Sequence, residues 1–372
     1  MAITQRPVIP IIDSHVHLYP DSETSTMTWI SQDHPLSGQH SVDQYREAIK
    51  ASGPSLLGFV VVEANREHDL ESGQADGSGW HAPLQETSWL RRVALGEPRP
   101  GEGHGPQDSK LCLGIIPWAP IPSGPAVVER YLGQAREASG SAWPKVRGFR
   151  YLLQDKPCQT ATRCEFVESL KLLGRRGLLF ELCVDYHRRG QSQLDDAAAL
   201  VALSRDSVSD VDQVTIVIGE LSMKVIPSSP ADQSIDHFLK PDLTHPARPS
   251  DPSFEAWAAA IAAMASFPKT YIKLSGAFSE TSDAIRSQDP LRVAEFLQPW
   301  FTVILDAFGP RRMLFGSDWP VCTVGFLDDN DNAWGRWQEV VQGMCTAAGL
   351  GGKHTARIFS GTAREVYLDE RC

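Results

Sequence analysis

Eight short apolar runs, separated by helix-like segments, limit what this chain can fold into more than any other feature. They lie at residues 8–12, 57–62, 111–116, 146–149, 177–183, 214–218, 271–274 and 312–315. Most are apolar throughout rather than alternating. That pattern suits strands of a parallel sheet covered on both faces. Helical segments are expected between them at 42–51, 86–95, 126–138, 164–175, 194–204, 254–267 and 291–308. Eight strands alternating with helices favour a single α/β domain built as a (β/α)8 TIM barrel. An open doubly wound sheet is the alternative. No glycine-rich phosphate fingerprint follows the first run, which speaks against its nucleotide-binding form. The 372 residues hold a barrel of roughly 250 residues with loops to spare. Loop insertions are expected near 65–110, where 71–83 and 96–109 are rich in Gly, Pro and polar residues.

Composition removes several classes of function. The formal net charge of -11 speaks against nucleic acid, whose phosphates call for a basic surface. No apolar stretch is long enough to span a bilayer, and the first residues lack a signal-type apolar segment. A cytoplasmic protein with a small-molecule substrate is the expectation; the oligomeric state is not readable. The seven cysteines include no C-x-x-C pair, so neither a disulfide framework nor a cysteine zinc site is expected.

Four constellations carry chemistry. In Ile12-Asp13-Ser14-His15-Val16-His17 the two imidazoles are two residues apart on an extended segment, so they face one way. At the C-terminal end of a barrel strand they would meet in the site. Such a pair suits zinc or another divalent ion, or hydrogen bonding to an oxyanion. In Phe315-Gly316-Ser317-Asp318 an apolar strand ends in a carboxylate, able to bind a metal or to act as a general base; a turn cap is the ordinary alternative. His237, in Asp236-His237-Phe238-Leu239-Lys240-Pro241, is a candidate third imidazole. Arg150, in Arg147-Gly148-Phe149-Arg150, suits a substrate carboxylate or hydroxyl cluster, whereas Arg147 suits a structural ion pair. Trp29, Trp118 and Trp319 have the faces to stack on a sugar, or to serve as ordinary packing.

Taken in order, D-x-H-x-H, R-G-x-R, D-H-x-x-K-P, the K-L-S-G of Lys273 to Gly276 and the G-S-D-W-P-V of Gly316 to Val321 resemble the amidohydrolase-related sugar-lactonase family. This group of TIM-barrel hydrolases includes L-rhamnono-, L-fucono- and pyrone-dicarboxylate lactonases. The resemblance spans nearly the whole chain. It implies opening of a sugar-acid lactone by water that Asp318 activates. His15, His17, His237 and Asp318 would form the catalytic cluster, with Arg150 on the substrate. His15, His17 and Asp318 would hold a divalent ion, zinc first among them, although metal-free members exist. A metal-dependent decarboxylase on the same barrel is the alternative. Glu181 stands where the family often has Asp, and its role is open.

One departure is larger. In the family the sixth strand runs directly into Asp-His; here residues 219–235 intervene. Removing these 17 residues restores Val-Thr-Ile-Val-Ile-Asp-His-Phe-Leu-Lys-Pro. Gly219-Glu220 is compatible with a GGTGAG donor site, and Ile235-Asp236 with an acceptor across ATA-GAC, in frame. The segment is therefore read as translated intron, with a lineage-specific loop as the alternative. Either way it stands between the strand and His237. A barrel catalytically impaired at that position is a third reading of the chain.

Overall fold

The computed structural model describes residues 9–31, 33–50, 55–219, 243–326 and 332–369, the side chains of 187 and 188 aside. His237 and all but the first residue of 219–235 lie outside the described residues.

The strands are β1 (Ile11–Val16), β2 (Leu56–Val62), β3 (Cys112–Ile116), β4 (Gly148–Leu152), β5 (Leu179–Cys183), β6 (Ile216–Ile218), β7 (Thr270–Leu274) and β8 (Met313–Phe315). They form two parallel sets, β1-β2-β3 and β4-β5-β6-β7-β8. Single bridges join the sets at both seams. Between β3 and β4, Ile115 pairs with Val146, and Trp118 with Arg150. Between β8 and β1, Val16 pairs with Trp319, the His17 N–H donates to the Trp319 carbonyl at 2.7 Å and the Asp318 N–H donates to that of His15 at 2.9 Å. The strands thus run in sequence order around a closed barrel, as the alternation of runs predicts.

Helices cover the outside because their apolar residues recur at helical spacing. In Cys164–Arg175 the buried residues include Phe166, Val167, Leu170 and Leu173, one face of a 3.6-residue period. Inside, Ile12, Val60, Val62, Ile116, Leu179, Val217 and Leu314 fill one end of the lumen and pack on Ala363 and Tyr367 of the helix Thr362–Leu368. The barrel is a packed core, and its chemistry belongs at the other end.

Two expectations need correction. The segment 71–83 is not a loop: it holds the helix Leu70–Asp76, a short 3-10 turn and the start of the helix His81–Leu95. Its polar and glycine residues serve as caps. Asp69 accepts from the Ser72 N–H at 2.7 Å, and Gly77 closes the helix at φ 87°. The first strand was expected at 8–12 but extends to Val16, so Asp13 and His15 lie within it. Polar residues continue the strand because each finds a buried partner.

Asp13 shows how. The register of β1 on β2 shifts between Asp13 and Val16. Asp13 there meets the helix layer, while His15 and His17 meet the lumen. Its carboxylate accepts from Tyr45 Oη at 2.9 Å, Trp334 Nε1 at 2.7 Å and the Ser317 N–H at 2.8 Å. One fully buried side chain therefore clasps β1, two helices and the turn after β8. Burial raises its pKa against the lowering effect of these bonds. Replacing Asp13 with alanine leaves the three donors unsatisfied and is expected to cost about 3–5 kcal/mol in urea unfolding. Asparagine, which keeps one acceptor oxygen, is expected to cost less.

Candidate active site

Three of the residues singled out from sequence converge where β1 and β8 end. His15 Nε2 and His17 Nε2 are 3.1 Å apart. Asp318 Oδ1 lies 3.4 Å from His17 Nε2 and 3.7 Å from His15 Nε2. All three residues are buried. Local backbone makes this approach possible. Asp318 adopts φ 60°, the left-handed region that Asp tolerates better than most residues. Gly316 lies so close to His15 that an added Cβ would stand 2.8 Å from the His15 Cβ, so a side chain there would push the strand ends apart.

The ring of His17 is oriented by the Val62 carbonyl, which accepts from Nδ1 at 3.0 Å. Its Nε2 lone pair therefore faces the cluster. Burial, and then the positive charge of Arg150, holds the His17 pKa well below the ordinary histidine range. The ring is neutral at pH 7.

A second layer lies in the lumen around His15. Lys273 Nζ donates to Glu181 Oε1 at 2.8 Å and Oε2 at 2.7 Å, and lies 3.2 Å from His15 Nδ1. Tyr367 Oη donates to Glu181 Oε1 at 2.7 Å. Burial lowers the Lys273 pKa while the Glu181 carboxylate opposes that shift.

Arg150 is inside β4 rather than beyond it, and only 1% exposed. Its Nε donates to Glu63 Oε1 at 2.6 Å, and its Nη2 to the Glu63 carbonyl. Its Nη1 is buried with no hydrogen-bond partner among the described residues. Arg147 instead pairs with Asp369. Trp29, Trp118 and Trp319 are all buried in packing.

Two functional candidates were missed from sequence. Glu63 follows the apolar run of β2, the same placement that drew attention to Asp318. Lys273 sits in the middle of an apolar run, where a lysine demands a buried counter-charge. His237 lies outside the described residues. The strand leading towards it is in place as far as Gly219, whose N–H donates to the Leu182 carbonyl at 2.9 Å.

His15, His17 and Asp318 each offer one donor atom, and these atoms lie within 4.8 Å of one another. Two imidazoles and a carboxylate at that spacing are a donor set for one divalent ion. Near a carbonyl carbon the same groups offer a base and polar partners for an oxyanion.

A barrel with this cluster at the ends of its first and last strands has the architecture and the donor set of an enzyme whose chemistry sits at its strand ends. Sequence comparison agrees. The amidohydrolase family model matches residues 234–368. An L-rhamnono-gamma-lactonase of Scheffersomyces stipitis is 29% identical over 359 residues, 96% of this chain and 98% of that protein. An L-fucono-1,5-lactonase of Burkholderia multivorans is 33% identical over 302 residues, 79% of this chain and 84% of that protein. Among solved structures, an amidohydrolase from Burkholderia multivorans crystallised with bound zinc superposes with a TM-score of 0.66 at 22% identity, covering 96% of this chain and 99% of its own. The chain belongs to the amidohydrolase family, in the branch that contains these sugar lactonases. Among its described residues no helix is long and apolar enough to cross a membrane.

Because Lys273 and Glu181 are both fully buried, removing one charge strands the other. Glu181→Gln alone is expected to lower stability by about 3–5 kcal/mol, and Glu181→Gln/Lys273→Met by much less. Denaturant titration of the two variants against the parent checks this.

Proposed function

We propose that the chain hydrolyses a sugar-acid lactone of the L-rhamnono- or L-fucono-lactone class. The observation that carries this reading is the buried His15/His17/Asp318 cluster at the barrel mouth, in a chain one-third identical to an L-fucono-1,5-lactonase over most of that protein's length. Water attacks the lactone carbonyl while Asp318 takes its proton. The His15 imidazole stabilises the charge that develops on the carbonyl oxygen. The carbonyl–ring-oxygen bond then breaks, and the proton on Asp318 passes to the departing alkoxide. The product acid ionises and releases one proton to solvent. Arg150, fixed by Glu63, orients the substrate through its Nη1 edge. When bound, a divalent ion held by His15, His17 and Asp318 supplies Lewis-acid polarisation of the carbonyl, with zinc the first candidate from the solved relative. His237 is the candidate fourth member of the cluster. The substrate is a small molecule, the whole chain is one barrel domain and the cytoplasm is its proposed location. No observation favours the decarboxylase alternative.

A pH-indicator assay on L-rhamnono- and L-fucono-lactones, with and without chelator, tests the activity. Asp318→Asn is expected to lower kcat by about 100- to 10,000-fold with an unchanged circular dichroism spectrum. Near-normal turnover by that variant would refute the role of Asp318.

The direct run from Ile218 into Asp236-His237 that removal of 219–235 restores supports reading the segment as an interruption of the ancestral sequence. A chain lacking 219–235 is expected to turn lactones over faster than the full chain. Equal rates, or a single transcript species carrying all 17 codons, would show the segment to be a native loop.

A further inference from the structure

The donor and acceptor inventory around His15 fixes more than its position. A lysine ammonium has three N–H donors and no acceptor. Lys273 directs two of them at the oxygens of Glu181, which also accepts from Tyr367. The remaining contact, at 3.2 Å, is with His15 Nδ1. A nitrogen facing an ammonium donor must offer its lone pair, so the neutral ring carries its proton on Nε2. The other histidine agrees: His17 donates from Nδ1 to the Val62 carbonyl, leaving Nε2 as an acceptor, and His15 Nε2 lies 3.1 Å from it. One hydrogen-bond direction runs through the whole chain of groups, from Lys273 to His15, to His17, to the backbone of β2.

We infer that Lys273 is a positioning residue that holds the ring proton of His15 on Nε2, so that His15 enters the site as a hydrogen-bond donor to a substrate oxygen. While Lys273 is an ammonium, a divalent ion can take His15 Nε2 as a ligand only after this contact is broken, because a metal-bound Nε2 requires the proton on Nδ1. The donor spacing fits a metal, while the proton placement opposes it at one of the three donors. Lys273 thereby biases the cluster towards its proton-donating form. The inference rests on the proposed hydrolytic role for the importance of His15, but neither measurement below involves a lactone. A failure to hydrolyse lactones would count against the proposed function and leave the proton placement standing.

Two measurements test it. Ring-15N NMR of histidine-labelled parent protein, with His15 assigned as the signal lost in His15→Gln, is expected to show a protonated Nε2 and an unprotonated Nδ1. Zinc affinity, read by competition with a chromophoric chelator, is expected to rise about 10- to 100-fold in Glu181→Gln/Lys273→Met, the scale on which groups behind a ligand act on metal affinity. A purely structural role for Lys273 would leave zinc affinity unchanged or reduced. A proton on Nδ1 in the parent, or unchanged or weaker zinc binding by the folded double variant, would overturn the inference. If the variant does not fold, the spectrum of the parent decides alone.

Discussion

The structure depends on the seam between its first and last strands. His15 and Asp318 lie at opposite ends of the sequence, and nothing local brings them together. Backbone bonds do so: Asp318 N–H to His15 carbonyl, and His17 N–H to Trp319 carbonyl. Asp13 reinforces the seam by accepting from the Ser317 N–H beside it. The same few residues therefore close the barrel and build the cluster. Closure and chemistry are one event in this fold. That explains why the D-x-H-x-H and G-S-D-W-P-V segments are more specific together than either is alone.

Much of the architecture was legible in the sequence because parallel barrel strands are buried on both faces. Continuous apolar runs therefore mark them, and all eight lie where expected to within a few residues. The limit of that signal is β1. It was placed too early because its later residues are Asp13, Ser14 and His15, which read as the end of a strand. They continue it because Tyr45, Trp334 and the backbone of β8 satisfy them, and those partners are distant in sequence. The segment 71–83 failed for the opposite reason: capping residues around a short helix have the composition of a loop. His15, His17 and Asp318 were found because strand-end position and residue type coincide. Arg150 was found, but its pairing with Glu63 was not, since a buried ion pair between neighbouring strands leaves no spacing in the chain. The placement of His237, and hence the effect of 219–235 on the site, falls outside the described residues.

Buried charge organises the lumen beneath the cluster. Lys273 and Glu181 gain little net stability from each other, because desolvation offsets their attraction. Hydrophobic residues of similar volume would satisfy the fold. What the pair supplies is direction: an ammonium that can only donate, set behind a ring that can point its proton either way. Glu63 does the same for Arg150, holding two edges of the guanidinium and leaving Nη1 available. In both cases a buried acidic residue positions a basic one.

Tyr367 gives this arrangement a dimension in time. It follows all eight strands in the chain, yet its hydroxyl reaches into the lumen to Glu181, and the Lys273 ammonium lies 5.6 Å from its ring centre. His15, by contrast, lies in β1, the first of the eight strands. During synthesis the first histidine must wait for β8 before it meets its carboxylate, and the charge pair behind it waits longer for its last hydrogen bond. A fragment that ends before β8 cannot bring Asp318 to the two histidines, and one that ends before Tyr367 lacks the last hydrogen bond to Glu181.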